Sequence, residues 1–423
     1  MRAAGETPPL RIADGRGARI ELDNGQRVID AGSISATLLG HRHPDLVAAI
    51  QRTAEDPYVS DGWGHAPREQ AARDLLEIGF EGEDWPQVVR FCTSASEAND
   101  IALHLTRTIT GRAPLVSRAQ AYHGALGLAR EASNHPLWNG NLASPEGGFV
   151  EPPPIDSGWR TLAAPAPGSD ADPPLEGAAE VLAGAAAVIS DYGSNGVIFP
   201  SASYQDELAA QAAAAGAIWI SDEAVTGLGR LGRSFAFQQG HSRPGIVTLG
   251  KGMTGGAAPG GAVVLSADVV EAMGGRRWMT YSTFRGHPLT SAAVSTCMRV
   301  IKRDGLIERA REVGTNFGRS LRQVAAGHDC VLQVVGEGLL WAIELDGDPE
   351  HASARWHGDG RRRPLAEVVT AAALERGAIM SAYSGLVVWL VPPLVIETEE
   401  LEEVTEILDA ALSVADAERA ARS

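Results

Sequence analysis

Two lysines stand among the 423 residues, Lys251 and Lys302, whereas arginine supplies the other 34 of the 36 basic residues. Lys251 follows an apolar run and has glycines on both sides, in "TLGKGMTGG". A lysine that faces a cleft loses water, and its amine then loses part of its preference for the charged form. A neutral amine condenses with aldehydes, which arginine does not do at ordinary pH. We therefore predict that Lys251 is a nucleophile; the alternative is a solvated loop lysine.

The segment from Gly245 to Gly252 also comes close to the phosphate-binding pattern G-x-x-x-x-G-K-[ST] of nucleotide hydrolases. Gly252 stands where that pattern needs a hydroxyl group to bind magnesium. The residues between Gly245 and Gly250 are apolar and β-forming, which predicts a strand rather than a loop around phosphates. A nucleotide-binding enzyme is therefore kept only as an alternative.

A second candidate lies upstream, where the apolar run "AIWIS" ends in Asp222 and Glu223 and a glycine-rich turn follows. The carboxyl ends of parallel strands are where open α/β sheets bind their ligands. Asp222 is thus a candidate partner for a cationic ring nitrogen. The alternative is that Asp222 and Glu223 form a solvated acidic pair at the end of a strand.

Two further segments could bind other parts of a ligand. In "CTSASEAND" small residues precede a helix that begins near Ser96, and the free N–H groups of a helix start bind phosphate. The alternative is an ordinary serine cap with Glu97 in the first turn. In "AYHG", Tyr122 follows a predicted strand and could lie against a flat cofactor, or Tyr122 and His123 could be packing residues.

The order of these four features along the chain favours one ligand. A phosphate-binding turn, an aromatic ring, an aspartate for a ring nitrogen and a lysine that forms a Schiff base are the parts that hold pyridoxal phosphate. The sequence therefore predicts a pyridoxal phosphate site that includes Asp222 and Lys251.

The composition excludes several classes of protein. A chain of 423 residues is long enough for two domains. A net charge of -17 argues against a nucleic-acid partner, because phosphate contacts need a basic surface. The cysteines, Cys92, Cys297 and Cys330, are far apart and do not have a metal-binding spacing. No apolar run has the length of a signal peptide or a membrane span. We expect a cytoplasmic protein with no metal and no membrane partner.

The elements that must hold these residues alternate between short apolar strands and helices. Such alternation predicts a mainly parallel sheet covered by helices on both faces. Asn24-Gly25 predicts a hairpin, residues 141–178 predict a long surface loop, and residues 308–423 predict a smaller α+β unit. The strands of the sheet are predicted at residues 87–93, 114–117, 186–190, 217–222, 246–250 and 261–266.

Nearly the whole chain resembles the class III aminotransferases, which are pyridoxal phosphate enzymes of fold type I. The segment "TSASEAND" resembles the family's SGSEAN turn, "YHG" its aromatic-His-Gly, and "DEAVTGLGRLG" its DEVQTGFGRTG. "LGKGMTGGAAPGGAVV" resembles the lysine segment, "STFRGHPLTSAA" resembles TFSGNPLACAA, and "VPPLVIETEEL" contains the C-terminal PPL.

The resemblance implies an α/β fold with a large domain, whose sheet is mainly parallel and seven-stranded, and a smaller α+β domain. Residues 56–304 would form the large domain, and residues 1–55 and 305–423 would form the small one. Small-molecule amines and carbonyl compounds would be the substrates. The active sites of the family lie between protomers, so the resemblance also implies a homodimer with shared active sites.

Residue roles follow from the resemblance by position. Lys251 would form the imine with the cofactor and transfer a proton, and Asp222 would pair with the pyridinium nitrogen. Tyr122 would stack on the ring, and Thr283 would reach the phosphate of the neighbouring subunit. The remaining cofactor contacts implied are Ala95, Ser96, His123, Ala224 and Val225.

The departures from the family concern the substrate. Trp389 stands where the family often has an arginine that binds a substrate carboxylate, so no bidentate contact can form there. Arg285 could compensate. Trp389, with Trp63 and Trp138 nearby, could instead stack on a flat or sugar-like amine of specialised metabolism, or these tryptophans could be packing residues. Ala95 replaces a family glycine, which would strain the backbone if its φ were positive.

The sequence leaves the reaction open between two chemistries on this scaffold. An aminotransferase would move the amino group to a carbonyl acceptor, whereas an aminomutase or epimerase would act within one substrate molecule. A non-catalytic protein that keeps only the fold is a further alternative, against which the presence of Lys251 and Asp222 argues.

Overall fold

The fold is taken from a computed structural model, which describes residues 10–33, 35–60, 62–134, 142–143, 149–150, 158–165, 175, 177–193, 196–347 and 363–421. The strands, in chain order, are β1 (Ile12–Arg16), β2 (Arg19–Leu22), β3 (Arg27–Asp30), β4 (Pro86–Cys92), β5 (Leu115–Arg118), β6 (Leu142–Ala143), β7 (Phe149–Val150), β8 (Trp159–Leu162), β9 (Ala187–Asp191), β10 (Ile218–Asp222), β11 (Ile246–Leu249), β12 (Gly261–Ser266), β13 (Val331–Glu337), β14 (Leu340–Leu345), β15 (Ala378–Ile379), β16 (Ser381–Ser384) and β17 (Val387–Leu390).

The α-helices are α1 (Pro44–Thr53), α2 (Ala66–Asp74), α3 (Ala95–Thr110), α4 (Gly127–Ala132), α5 (Ala178–Leu182), α6 (Ala202–Ala214), α7 (Ala267–Ala272), α8 (Pro288–Arg303), α9 (Leu306–Ala325), α10 (Leu365–Glu375) and α11 (Thr398–Ala420). A π-helical turn, Leu75–Gly79, continues α2, and short 3-10 helices span Ala236–Gln239 and Lys251–Thr254. Within the ranges described, no helix has the length and apolar character needed to cross a membrane.

The central sheet holds seven of the described strands, in the order β4-β12-β11-β10-β9-β5-β8. Strand β12 runs antiparallel to both of its neighbours, and the other strands are parallel. Every residue of β11 and β12 is buried, which explains their continuous apolar sequences. The mainly parallel, seven-stranded α/β sheet expected from the sequence is confirmed.

One predicted segment needs a correction. Residues 141–178 were expected to form a surface loop, but Trp159–Leu162 is the edge strand β8 of the central sheet, paired in parallel with β5. The prediction failed there because these four residues are flanked by proline and glycine and do not alternate clearly between apolar and polar side chains. Most of the rest of this segment lies outside the described residues.

Two smaller four-stranded sheets lie outside the central sheet. One has the order β1-β2-β3-β15, in which β15 pairs in parallel with β3 and so joins the N-terminal hairpin to the C-terminal part of the chain. The other is antiparallel, with the order β13-β14-β17-β16. The division at residues 55 and 304 stays a prediction.

Helix α3 shows how the sequence fixes an element that reaches the site. The Ser94 side chain accepts a hydrogen bond from the Glu97 N–H at 3.2 Å, and the Glu97 carboxylate accepts one from the Thr93 N–H at 2.8 Å. Such reciprocal caps stabilise a helix start by about 1 kcal/mol. Gly111 ends the helix with φ of 67°, which glycine adopts without strain. The helix start is therefore fixed against the ends of the strands.

Candidate active site

A cavity of about 590 Å³ opens at the carboxyl ends of the central strands, a size usual for small-molecule sites. The start of α3, the Tyr122 turn, the ends of β9 and β10, the Lys251 segment and the β16–β17 hairpin contribute to its lining. Asp191, Asp222 and Thr248 are register partners across β9, β10 and β11, so these three strands end together. The sheet thus brings residues far apart in sequence to one edge.

Asp222 is held by directed hydrogen bonds. Its Oδ2 accepts one from Asn99 Nδ2 at 2.7 Å and one from His123 Nδ1 at 2.9 Å, and its Oδ1 accepts one from the Ala224 N–H at 3.1 Å. Bonds of this kind to a carboxylate are stronger than bonds between neutral groups. The side chain is 5% exposed, so the alternative of a solvated acidic residue is wrong.

His123 and Asn99 form the rest of this network. Asn99 Nδ2 also donates to the His123 carbonyl at 2.7 Å, and Asn99 Oδ1 accepts from Thr248 Oγ1 at 2.5 Å. His123 Nε2 is buried and has no hydrogen-bond partner among the described residues. His123 therefore orients Asp222 through Nδ1, and its other nitrogen is a polar atom for which the described side chains provide no partner.

Glu223, the neighbour of Asp222, has a different task. Its carboxylate is buried and accepts hydrogen bonds from the Ala236 and Phe237 N–H groups at 2.9 and 3.1 Å. Burial raises the pKa of Glu223, although these hydrogen bonds oppose the rise. Glu223 therefore stabilises the turn that follows β10, and it does not line the cavity.

Lys251 begins the 3-10 helix that follows β11 and lines the cavity. Burial lowers its pKa, although the charges of Asp222 and Asp191 act in the opposite direction. Its amine has no hydrogen-bond or ion-pair partner in the described part of the chain. The backbone of Lys251 has φ of 41°, a conformation that costs a residue with a side chain about 1–3 kcal/mol. Such strain is retained where the surrounding structure requires one side-chain direction.

Gly250 explains the close approach of this segment to α3. A Cβ atom on Gly250 would lie 2.7 Å from the Cβ atom of Ala95, so only glycine fits there. Ala95 itself has a helical backbone rather than a positive φ, and the strain considered for this alanine does not arise. The N–H groups of Ala95 and Ser96 lie in the first turn of α3, where no helical carbonyl can accept from them.

The strand-like nature of residues 246–249 also decides against a nucleotide loop. These residues form the buried strand β11 and do not surround a space in which phosphates could bind. Among the residues described, no group of three or more His, Cys, Asp or Glu side chains could hold a metal ion.

The residues of the cavity fit pyridoxal phosphate. An amine with a lowered pKa faces the cavity, a buried carboxylate is oriented at the end of the neighbouring strand, and free N–H groups begin α3. Tyr122, Ala224 and Val225 contribute flat or apolar surface. Burial, together with the charge of Asp222, raises the pKa of Tyr122, so its hydroxyl stays neutral.

The structure brings eight of the predicted cofactor and catalytic residues to this cavity and leaves Thr283 outside its lining. Thr283 is exposed, and its carbonyl accepts from the Tyr58 hydroxyl at 2.6 Å. The eight that line the cavity are Lys251, Asp222, Ala95, Ser96, Tyr122, His123, Ala224 and Val225.

The predicted substrate residues are placed less uniformly. Trp389 lines the cavity although it is only 2% exposed, whereas Trp63 is 65% exposed and lies outside the lining. Arg285 is buried, donates to the Thr280 carbonyl and does not line the cavity of its own chain. Trp138 lies outside the described residues.

Among the cavity residues that were not found from the sequence, three matter most for the arguments below. Asn99 lies one helical turn after Ala95, a spacing that could have indicated a shared face. Asp191 ends β9 as Asp222 ends β10, so the same strand-end argument would have found it. Tyr383 gave no signal, because the sequence alone does not show which residues of β16 and β17 pair with each other.

Comparisons with known proteins agree with this site. The sequence model described as aminotransferase class III matches residues 1–412. The acetylornithine aminotransferase of Mycobacterium tuberculosis is 31% identical over 415 residues, which cover 96% of this chain and 92% of that protein. The acetylornithine aminotransferase of Methanosarcina mazei is 30% identical over 408 residues, covering 95% and 92% of the two chains.

Solved structures show the same fold. The ornithine aminotransferase from Toxoplasma gondii superposes with a TM-score of 0.81 at 26% identity, covering 99% of this chain and 93% of that one. An S-selective transaminase from Bacillus megaterium superposes with a TM-score of 0.89 at 24% identity, covering 98% and 95% of the two chains.

Proposed function

Because this chain belongs to the class III aminotransferases, pyridoxal phosphate enzymes of fold type I, we propose that its amino donor is an amine without an α-carboxylate. The chain is a pyridoxal phosphate-dependent aminotransferase, so its substrates are small amines and carbonyl compounds. The proposal concerns which amine it uses. The observation that carries it is the absence of arginine from the described cavity lining.

The charges of that lining support the proposal. Among the described lining residues the charged side chains are Asp191, Asp222 and Lys251. A carboxylate that enters such a cavity loses its hydration and finds no planar guanidinium to bind both of its oxygens. An amino sugar or another amine of specialised metabolism avoids that cost. Acetylornithine, named for the relatives, carries a carboxylate and would need a guanidinium that the described lining lacks.

The cofactor, when bound, supplies an electron-poor ring that takes up negative charge as a bond to the amine-bearing carbon breaks. We propose that Asp222 holds a proton on the ring nitrogen, because its carboxylate is fixed by Asn99 and His123. The N–H groups of Ala95 and Ser96 would bind the phosphate at the start of α3. Tyr122 would cover one face of the ring, and Ala224 and Val225 would contact it from elsewhere in the cavity.

Lys251 is proposed for two tasks. Its amine would hold the cofactor covalently between turnovers, because a neutral amine is the form that attacks an aldehyde. The same nitrogen would accept a proton from the amine-bearing carbon and deliver it to the cofactor carbon that keeps the amino group. Burial lowers the pKa of Lys251, which places more of the amine in the neutral form that both tasks need.

A second candidate function follows from the same observation. An aminomutase or epimerase would use Lys251 and Asp222 in the same way but would return the amino group to the same molecule. Without a group that holds a carboxylate, the described lining gives no reason to prefer an exchange between two amino acids.

One experiment tests the proposal and separates the two candidates. The purified protein is incubated with single amines, and the visible absorbance of its bound cofactor is followed without any acceptor. Stable conversion to the amino form of the cofactor supports amino transfer, whereas an isomerised amine with no net conversion supports the second candidate. Rapid conversion by glutamate contradicts the proposed substrate class. In Lys251→Ala the covalent cofactor absorbance should be lost, while Lys302→Ala should keep it.

We also propose a homodimer with shared sites. Three hydrophobic side chains close to Thr283 in sequence, Met279, Tyr281 and Phe284, are 60–80% exposed in the single chain. Arg68 donates to the carbonyls of Trp63 and Gly286, so the segment of the exposed Trp63 lies next to this part of the chain. Several exposed large apolar side chains in neighbouring segments are typical of a protein interface.

Light scattering tests the dimer. Phe284→Asp should shift the mass toward the monomer, whereas a monomeric wild type would contradict the proposal.

We further propose a cytoplasmic location, because all three cysteines are buried free thiols.

A further inference from the structure

The β16–β17 hairpin forms a wall of the cavity through Tyr383 and Trp389. In this hairpin Ser381 pairs with Trp389 and Ala382 pairs with Val388, so Tyr383, two residues after Ser381, lies on the same face of the hairpin as Trp389. The register then shifts by one residue, because Ser384 pairs with Val387, and such a β-bulge bends the strand at this point. The register of the hairpin therefore explains why Tyr383 and Trp389 meet beside the cavity.

Trp389 is enclosed by its neighbours. Its Nε1 donates to the Gly196 carbonyl at 3.0 Å, and the Tyr383 ring stacks on it with the centroids 4.1 Å apart and the planes at 24°. A Cβ atom on Gly196 would lie 2.6 Å from Trp389 Nε1, so the turn after β9 fits closely against the indole. With the indole only 2% exposed, the half-buried Tyr383 presents the larger part of this wall to a substrate.

The charges around Tyr383 disfavour an anion. Burial is the main cause that raises the pKa of Tyr383, and the neighbouring Asp191 and Tyr122 raise it further, so the phenol stays neutral. Asp191 accepts a hydrogen bond from Arg118 at 2.8 Å and ends the strand next to Asp222. A carboxylate against this wall would lose water, would meet the carboxylate of Asp191 and would find no guanidinium in the described lining.

Resting on the aminotransferase function and the substrate class proposed above, we propose that Tyr383 is the specificity-determining residue of the cavity. Its ring and neutral hydroxyl receive a flat, uncharged substituent on the amine-bearing carbon. Trp389 is a positioning residue, which holds the Tyr383 ring through their stack and is itself fixed by Gly196. The enzyme thereby selects arylalkyl or similarly flat amines over amino acids.

The test uses two amines that differ in one substituent. In 1-phenylethylamine a phenyl group occupies the place that the carboxylate has in alanine, and the methyl group and the amine are the same. Conversion of the bound cofactor by each amine gives a half-saturating concentration and a limiting rate separately. Wild type should prefer 1-phenylethylamine. Tyr383→Ala should lower its specificity constant about 10-fold or more, mainly through weaker binding, because an aromatic contact and its buried area are lost.

Alanine conversion should change by less than about twofold in Tyr383→Ala, since no aromatic contact is removed from it. Tyr383→Phe keeps the ring and should retain most of the preference. Trp389→Phe keeps a stacking ring but loses the bond to Gly196, and should fall between Tyr383→Phe and Tyr383→Ala. Tyr204→Phe is the matched control: it removes the hydroxyl of a buried tyrosine that does not line this cavity, and the ratio between the amines should stay at the wild-type value.

The outcomes separate this inference from the function on which it rests. A wild-type preference that Tyr383→Ala leaves unchanged overturns the role of Tyr383 alone. Equal or better conversion of alanine by wild type overturns the substrate class but leaves amino transfer in place. Conversion by neither amine overturns the assignment of flat amines. Cofactor absorbance in wild type and in Lys251→Ala tests the proposed chemistry independently of all three.

Discussion

The cavity has two regions that are built by different physical means. Its floor consists of Asp222 and Lys251 at strand ends, with Asn99 and His123 behind them; its wall consists of the stacked Tyr383 and Trp389 beside Gly196. Directed hydrogen bonds of 2.7–2.9 Å join Asp222 to Asn99 and His123 in the floor. Ring stacking and close packing dominate in the wall. The floor therefore fixes atoms, whereas the wall fixes a shape.

This difference separates chemistry from selection. Every substrate of the enzyme needs the floor, because Lys251 and Asp222 act on atoms that all amines share. The wall meets only the part of the substrate that varies. We expect a change in the floor to slow all amines by the same factor, and a change in the wall to alter the ratio between amines. The following predictions test that separation.

The largest effect is expected for Asp222→Asn. The variant keeps the shape of the side chain and an oxygen atom that can face Asn99. The amide, however, has no negative charge to hold a proton on the cofactor ring. We expect kcat to fall about 10²- to 10³-fold, the size of losses on removing one preorganised electrostatic group. Steady-state rates with 1-phenylethylamine and alanine measure it, and both should fall by the same factor. Unequal falls would show that floor and wall are not separate.

Trp389→Arg tests the wall by introducing a positive charge into it. The new guanidinium could bind a substrate carboxylate with charge-assisted hydrogen bonds, and the Tyr383 ring would lose its support. The ratio of glutamate to 1-phenylethylamine activity should rise about 10²-fold. Glutamate should gain roughly 1.5–3 kcal/mol of binding free energy from the guanidinium, whereas 1-phenylethylamine should lose part of its contact with Tyr383. Competition kinetics with both amines measure the ratio.

The cost of Trp389→Arg should appear in stability. Because position 389 is 2% exposed, a buried guanidinium should lower the free energy of unfolding by about 2–4 kcal/mol, as measured by denaturant titration. Trp389→Phe serves as the control without a charge and should not gain glutamate activity. Efficient use of glutamate by wild type would contradict the argument that Trp389 replaces a carboxylate-binding group.

The two regions also differ in how far sequence alone could predict them. Asp222 was predicted because it ends an apolar strand, and Lys251 because it is one of two lysines and follows an apolar run within a glycine-rich turn. The wall was only partly predicted. Trp389 was recognised by its position, but its partner Tyr383 depends on the pairing register of β16 and β17, and Gly196 depends on contact between segments about 190 residues apart. Such packing has no local sequence pattern.

Other misses have the same origin. The edge strand β8 was taken for a loop, because four residues between proline-rich stretches give too short a pattern to distinguish a strand. Asn99 was overlooked because its spacing from Ala95 indicates only a shared helix face, and the contact with Asp222 depends on how α3 packs on the sheet. Local periodicity thus predicted the elements and the strand ends, whereas contacts between distant elements needed the fold.

A smaller effect is expected for Asn99→Ala. Asn99 is a positioning residue, since it donates to Asp222 Oδ2 and to the His123 carbonyl. Its loss leaves Asp222 with His123 and the Ala224 N–H, so kcat should fall about 10-fold for both amines. The pH profile of kcat should shift as well, which a purely structural role would not cause.

Thr248→Val is the milder control for Asn99→Ala. It removes only the hydrogen bond from Thr248 Oγ1 that orients the Asn99 amide. We expect kcat to fall about two- to fourfold. A single neutral hydrogen bond contributes roughly 0.5–1.5 kcal/mol, and only part of that contribution should be lost here. A larger effect in Thr248→Val than in Asn99→Ala would contradict the proposed order of support.

The smallest effect concerns the charge state of the floor, and the chain provides its own reference because Lys251 and Lys302 are its only lysines. Reductive methylation of the cofactor-free protein modifies neutral amines, and peptide mass spectrometry resolves the two sites.

Burial lowers the pKa of Lys251, while the charges of Asp222 and Asp191 raise it. Removing the charge in Asp222→Asn should therefore lower that pKa further, so that Lys251 is modified at a lower pH than in wild type. Lys302, on the surface beside Glu81, should be modified equally in both proteins. A shift of Lys251 toward higher pH would mean that Asp222 does not act on this amine through its charge, and the floor would then not be the electrostatic unit described above.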